Sequence, residues 1–229
     1  EDALMLLHIP QVLSKAEVAA LRAELAAHNW VDGAQTSGAQ AASLKHNLQF
    51  PAASPAFAGL SQRVADALAR HPLFVSAVLP RHMLPPMFNC YQGGGLYGNH
   101  VDNALQRDRF SGMQVRTDVS TTVFLSEPEE YEGGELIVED TYGEHEVKLA
   151  AGDAIVYPAT SLHRVEPVTA GARIAAFLWT QSWVRDAWQR KLLFDLDMNI
   201  LKLRGQLGDS EEVLGLTSTY HNLLRQWGE

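Results

Sequence analysis

The segment from Leu73 to Gln181 is a succession of short apolar and β-branched runs separated by glycine, proline and acidic turns. Such runs are typical of β-strands, whereas helices need longer periodic stretches. The strands are predicted near 73–79, 86–91, 98–103, 117–126, 134–138, 145–149, 153–157 and 172–181. This pattern favours a mainly β fold with flanking helices, in which the strands form a double-sheet jelly roll.

Two amphipathic helices are predicted ahead of the strands. Ser14 and Glu17 fit a capping box, and Ser54-Pro55 is predicted to open the second helix with proline at its first position. Their apolar stripes are Val18, Leu21 and Leu25, and then Phe57, Leu60, Val64 and Leu68. Because an amphipathic helix needs a surface to cover, we expect both helices to pack on the sheet.

After Trp183 the apolar pattern becomes helical again. Apolar residues recur at three- and four-residue intervals in a first helix, and Asp209-Ser210 is predicted to cap a last one. The recurring residues are Trp188, Leu192, Leu193, Leu196 and Ile200. We therefore expect a jelly-roll domain over 1–183, including the N-terminal helices, and a C-terminal helical subdomain over 184–229. The apolar face of that subdomain is compatible with intrachain packing and with a homodimer.

Composition excludes several classes of protein. The formal net charge of the 229 residues is −9 and no basic stripe is present, so nucleic acid is not an expected partner. The single cysteine, Cys90, cannot form an internal disulfide, and we expect it to be a small buried side chain in a reducing compartment. The first residues lack a cationic region, and no run approaches the roughly 18 apolar residues of a membrane span. We expect a cytoplasmic protein with no membrane partner, with Met5 as a candidate natural start.

His100-Val101-Asp102 and the distant His163 contain the residue types of a non-haem iron site. Two histidines and one carboxylate hold Fe(II) on one face and leave other positions open. On a strand, His100 and Asp102 would point to the same side of the sheet. With nine histidines in the chain, an accidental match is easily found, and a turn pair with a surface hydrogen bond is the alternative.

Arg173 begins an otherwise apolar strand that runs to Trp179. A buried arginine is costly unless it is paired. Its partner is either a carboxylate of the protein core or the carboxylate of a ligand, bound through two hydrogen bonds.

Three further segments have predicted roles. The polar segment from Asn103 to Arg116, with Arg107 and Arg109, follows the candidate ligands and is a candidate mobile loop for an acidic substrate. The acidic turn from Glu127 to Glu135 is expected to be solvated. Met87-Phe88 and Trp179 are expected in the core rather than in a substrate site.

Taken together, these motifs resemble the Fe(II)/2-oxoglutarate-dependent dioxygenases. More narrowly, the chain resembles the bacterial PKHD-type hydroxylases, which are named for their likeness to the catalytic domain of prolyl and lysyl hydroxylases. The likeness extends from Met5 to about Leu203. It rests on Tyr91, His100-Val101-Asp102, Tyr131-Glu132-Gly133-Gly134-Glu135-Leu136, Leu149-Ala150-Ala151-Gly152-Asp153, Ser161-Leu162-His163 and Arg173.

The resemblance implies a double-stranded β-helix (jelly roll) over residues 1–183 and roles for individual residues. His100, Asp102 and His163 would bind the catalytic Fe(II), and Arg173 would bind the distal carboxylate of 2-oxoglutarate with support from Tyr91. Ascorbate is a candidate additional cofactor. Relatives can carry a second tyrosine where this chain has Phe124, and a phenylalanine cannot donate a hydrogen bond.

The implied reaction hydroxylates a C–H bond of a peptide residue or of a small molecule such as a siderophore. It consumes O₂ and 2-oxoglutarate and releases succinate and CO₂. One alternative is a non-catalytic jelly-roll protein that senses 2-oxoglutarate or iron. Another is a metal-dependent isomerase or hydrolase of the cupin type, in which an arginine that anchors an oxo acid has no role.

Overall fold

The computed structural model describes residues 6–33 and 44–229. The candidate start at Met5 lies outside these ranges. None of the helices in this part of the chain combines the length and apolar character that crossing a bilayer requires.

Two antiparallel sheets account for most of the strands in the described ranges. The nine-stranded sheet consists of β1 Leu7–Ile9, β2 Val31–Asp32, β4 Leu48–Gln49, β5 Pro80–Met83, β6 Met87–Gln92, β10 Val119–Phe124, β11 Tyr131–Gly133, β14 Ala154–Pro158 and β16 Val168–Ser182. Its order is β1-β14-β10-β16-β6-β4-β2, and β5 and β11 also pair with β16. The five-stranded sheet consists of β3 Lys45–His46, β7 Leu96–His100, β12 Leu136–Asp140, β13 Gly143–Val147 and β15 His163–Val165. Its order is β13-β12-β15-β7-β3.

Apolar side chains of the two sheets pack together in one buried cluster. Tyr91 and Phe124 come from the nine-stranded sheet, and Leu136, Val138 and Val165 come from the five-stranded sheet. Two antiparallel sheets with a shared interior form the jelly roll that the sequence predicted.

Helices cover the outer face of the nine-stranded sheet. They are α1 Lys15–Ala26, α2 Phe57–Ala69 and α3 Pro72–Val78. Two further helices follow the sheets, α4 Ala187–Leu207 and α5 Glu211–Trp227. The predicted capping box of Ser14 and Glu17 is present, and the predicted stripes of α1 and α2 lie in one apolar cluster with Phe88, Ala176 and Leu178 of the sheet. Burial of these stripes fixes the helices on the sheet.

The type of one predicted element and the start of another were wrong. Residues 73–79 were predicted as a strand, but 72–78 form α3 with Pro72 in its first turn and Phe74, Ala77 and Val78 buried. A short apolar run suits a buried helix as well as a strand. The second helix begins at Phe57 rather than at Pro55, because the Ser54 hydroxyl accepts a hydrogen bond from the Ala56 N–H in a preceding turn (3.3 Å).

Two segments are more ordered than expected. The segment 103–116 contains a β-hairpin, β8 Leu105–Arg107 and β9 Gln114–Arg116. In the acidic turn, Glu130 accepts two hydrogen bonds from Arg22 of α1 at 2.7 and 2.9 Å. The turn therefore helps to hold α1 rather than being merely solvated.

The two C-terminal helices pack against each other and against the end of the domain. Leu193 lies in a small apolar cluster with Leu79 and Val184, whereas Trp188 and Leu192 are more than half exposed. The division of the chain at residues 183 and 184 stays a prediction.

Candidate metal centre and cavity

The structure brings His100, Asp102 and His163 together inside the jelly roll. His100 ends β7, Asp102 follows it, and His163 begins β15 directly opposite His100 in the strand register. One candidate ligand atom from each side chain lies within 4.8 Å of the others. Pairing of these neighbouring strands thus brings together residues that are more than sixty positions apart in the sequence.

Both histidines are held in one tautomer by the same local contact. Nδ1 of His100 lies 2.8 Å from the Gly98 carbonyl oxygen, and Nδ1 of His163 lies 3.0 Å from that of Ser161. A carbonyl oxygen only accepts, so each Nδ1–H donates. Each Nε2 therefore keeps a free lone pair, which is the arrangement usual for a metal-binding imidazole.

The remaining contacts orient the three side chains. The Ser120 hydroxyl donates a hydrogen bond to Oδ2 of Asp102, and the other carboxylate oxygen lies 3.8 Å from Nε2 of His163. The Tyr97 ring stacks on His100 with 3.6 Å between centroids. Burial, and then the proximity of His163, lower the pKa of His100 to about 4. This imidazole is therefore neutral at pH 7, and the donor set fits Fe(II).

Arg173 lines the same interior, and it is only 1% exposed. Its guanidinium carbon lies 5.5 Å from the Tyr91 ring centroid and 5.1 Å from that of Phe124. Among the residues described, no carboxylate lies within ion-pair distance of Arg173, and its Nε has no hydrogen-bond partner. The sequence left two possible partners for Arg173, a carboxylate of the protein core or the carboxylate of a ligand. The described residues contain no core carboxylate in position to pair with it, which favours the ligand.

Tyr131 and Gly134 lie beside Arg173. The buried Tyr131 hydroxyl has no hydrogen-bond partner in the described ranges. Gly134 has a φ of +70°, and a Cβ there would come within 2.7 Å of the Val168 side chain and within 3.2 Å of the Arg173 side chain. Glycine therefore permits the close approach of this turn to the arginine.

A cavity of about 190 Å³ connects the histidines with Arg173. Lys45, Asn89 and Trp179 also line it, and none of the three was predicted as a site residue. Trp179 was expected in the core, but it alternates with core-facing Leu178 and so faces the cavity. Lys45 gives no sequence signal, because only the pairing of β3 with β7 brings it here.

The arginines of the hairpin segment do not line this cavity. Arg107 donates to the Gly112 carbonyl, Arg109 lies over the Phe57 ring, and Arg116 pairs with Asp118. Contacts within the protein account for all three, so they no longer favour an acidic substrate.

Comparison with known proteins agrees with this geometry. A family model described as the 2OG-Fe(II) oxygenase superfamily matches residues 86–181, and one described as the PKHD-type hydroxylase C-terminal domain matches residues 187–229. A PKHD-type hydroxylase of Hyphomonas neptunium is 64% identical over 225 residues, which are 98% of this chain and 100% of the relative. This chain belongs to the PKHD-type hydroxylases. A second PKHD-type hydroxylase, from Stenotrophomonas maltophilia, is 59% identical over 225 residues, which are 98% of this chain and 100% of that relative.

Solved structures support the fold. A prolyl hydroxylase from Trichoplax adhaerens, in complex with a peptide fragment, covers 77% of this chain and 83% of its own with a TM-score of 0.58 and 16% identity. A prolyl-4-hydroxylase from Pseudomonas putida covers 77% and 92%, with a TM-score of 0.51 and 22% identity. As a PKHD-type hydroxylase, the protein is an Fe(II)- and 2-oxoglutarate-dependent dioxygenase, and its relatives favour an enzyme over a non-catalytic sensor.

Proposed function

We propose that His100, Asp102 and His163 hold the Fe(II) of this hydroxylase and that Arg173 and Tyr91 hold the distal carboxylate of 2-oxoglutarate. The observation that carries the proposal is the meeting of three ligand atoms within 4.8 Å, with both Nδ1 atoms already used as donors. A site made ready in this way loses little free energy to rearrangement when the metal binds.

The bound Fe(II) supplies O₂ activation, coupled to conversion of 2-oxoglutarate to succinate and CO₂, and oxidation of a substrate C–H bond. The chain supplies position. Ser120 fixes one oxygen of Asp102, while the rings of Tyr97 and Tyr157 pack on the two histidines. These contacts hold the ligands rigidly and keep bulk water from that side of the site.

Arg173 is suited to an anion that arrives from outside the protein. Its charge is buried without a carboxylate of the described chain, and a hydrogen bond to a charged group contributes about 1.5–3 kcal/mol. Phe124 offers no donor at the position where relatives can have tyrosine. The buried Tyr131 hydroxyl, next to Arg173, takes that role in our proposal.

The substrate in this proposal is a peptide residue or a small molecule. Structures of related fold contain either kind: the Trichoplax enzyme is bound to a peptide, and HygX of Streptomyces hygroscopicus is bound to hygromycin B. A cytoplasmic location, a homodimer and a role for ascorbate are further parts of the proposal.

The test is binding and turnover with purified protein. We expect Fe(II)-loaded protein to bind 2-oxoglutarate under anaerobic calorimetry and to release succinate slowly in air without a primary substrate. His100→Ala should lose Fe(II) binding and lower succinate release by at least a hundredfold. The matched control is His221→Ala, on the exposed face of α5, and it should leave both unchanged. Iron-loaded protein that neither binds nor consumes 2-oxoglutarate would contradict the proposal.

A further inference from the structure

Lys45 is a buried cation in the wall of the catalytic cavity. It lies on β3 opposite Tyr97 of β7, and it is only 7% exposed. Its ammonium group donates to Oε1 of Gln49 at 3.2 Å and lies 5.5 Å from the centroid of the Tyr97 ring. No carboxylate of the described residues lies within ion-pair distance of it.

The surroundings of Lys45 do not compensate its charge. Burial lowers its pKa to about 8, so the side chain is still largely protonated at pH 7. Tyr97 cannot supply a negative charge, because burial raises the pKa of its phenol to about 12. A methionine would fill similar space without the cost of desolvating an ammonium group. Packing therefore does not explain a lysine at this position.

A polar group without a hydrogen-bond partner among the described residues lies close to Lys45 in the fold. Asn89 of β6 is opposite Gln49 of β4 in the register. Its side-chain oxygen is buried and has no hydrogen-bond partner among the described residues, although it lines the cavity. Lys45 thus offers a charged donor, and Asn89 offers an acceptor for an N–H group.

This pair is distinct from the Arg173 end of the cavity. Arg173 of β16 pairs with Tyr91 of β6 in the strand register. Asn89 lies two residues before Tyr91 on β6 and points to the same face of the sheet. In the proposed function, Arg173 binds the distal carboxylate of 2-oxoglutarate. Lys45, the second cation in the cavity wall, is therefore available to bind another ligand. The Lys45 ammonium group lies over the Tyr97 ring and is not one of the three metal-binding side chains, so an anion held by Lys45 need not occupy the metal.

We propose that Lys45 and Asn89 form a subsite for the primary substrate, which carries a carboxylate next to an N–H group. The carboxylate pairs with the Lys45 ammonium group, and the N–H donates to the Asn89 side-chain oxygen. N-acylated amino acids and acidic peptide segments have this chemistry. The inference rests on the proposed function, because it takes the Arg173 end to be filled by 2-oxoglutarate.

The test compares two small probes on protein loaded with Mn(II) and saturating 2-oxoglutarate under anaerobic conditions. N-acetylglycine has the carboxylate and the N–H, and N-acetylglycinamide is its neutral counterpart. Binding is measured from the broadening of the acetyl methyl signal by Mn(II) in proton NMR. We expect the acid to bind at least tenfold more tightly than the amide, and Lys45→Met to abolish that preference.

Control variants and measurements distinguish an effect on the subsite from an effect on 2-oxoglutarate binding or on the stability of the protein. Lys45→Arg should retain the preference for the acid, and Lys202→Met, on the exposed surface of α4, should not change it. Affinity for 2-oxoglutarate should stay within twofold in Lys45→Met, whose melting temperature should be equal to or above that of the unmodified protein.

Each other outcome overturns a defined part of the inference. Equal binding of the two probes, or a preference that survives Lys45→Met, would refute the subsite. A large loss of 2-oxoglutarate affinity in Lys45→Met would assign the lysine to the co-substrate instead. If the unmodified protein forms no complex with Mn(II) and 2-oxoglutarate, the proposed function fails, and the subsite fails with it.

Discussion

The two faces of the nine-stranded sheet differ in their chemistry. On the face toward the helices, Phe88, Ala176 and Leu178 lie in an apolar cluster. On the face toward the cavity, the same strands carry Asn89 and Arg173, and Oδ1 of Asn89 and Nε of Arg173 lack partners among the described residues. Because strand residues alternate, one stretch of chain supplies both faces.

The difference separates stability from function. Apolar burial on the helix face contributes free energy to folding, whereas unpaired polar groups on the cavity face cost free energy until a ligand arrives. Substitutions on the first face should therefore change stability, and substitutions on the second should change ligand binding.

The largest expected effect lies on the helix face. Phe88→Ala should lower the free energy of unfolding by about 3–5 kcal/mol, because it leaves a cavity in a packed core. Urea denaturation measures the loss. Phe110→Ala is the matched control, since Phe110 is 63% exposed, and it should cost far less. The comparison fails if Phe88→Ala keeps full stability but loses 2-oxoglutarate affinity.

The next effect lies on the cavity face. Arg173→Met should weaken 2-oxoglutarate binding about tenfold or more, since a charged hydrogen bond contributes about 1.5–3 kcal/mol. The free energy of unfolding should stay equal or rise, because an unpaired buried cation is removed. Calorimetry and urea denaturation measure the two quantities, with Arg225→Met on the surface of α5 as the control. Unchanged affinity for 2-oxoglutarate would remove Arg173 from the proposed site.

The smallest effect depends on pH and concerns Lys45. Its pKa of about 8 in the folded state lies below the ordinary 10.5, so between these values the unfolded chain binds more protons and stability rises with pH. The free-energy cost of burying the protonated Lys45 side chain is fully present below pH 8. Lys45→Met should therefore be more stable than the unmodified protein by about 1–3 kcal/mol at pH 7, and the difference should shrink toward pH 10. Urea denaturation at both pH values checks this, and a difference independent of pH would contradict it.

Local sequence signals predicted much of the fold. The stripes of α1 and α2 and the meeting of His100, Asp102 and His163 follow from spacing and residue type. Residues 73–79 were mispredicted because a short apolar run has no periodicity that separates helix from strand. The lack of a carboxylate partner for Arg173 could not be predicted, since it depends on everything that packs around the side chain.

Lys45 shows the limit most clearly. Nothing in its sequence neighbourhood marks it as buried, and β3 is only two residues long. Its place in the cavity wall comes from pairing with a strand some fifty positions later, and long-range pairing of this kind is what a single sequence specifies least.

The ends of the two sheets also matter for the behaviour of the protein at high concentration. Among the residues that the structure describes, the nine-stranded sheet ends at β1 and β2, which are three and two residues long. Within the same ranges, the five-stranded sheet ends at β3 and at β13, where Glu144 and Glu146 are exposed. Short and charged edge strands are poor templates for the strands of another molecule. The sheets that shape the cavity are thereby protected from growing into aggregates.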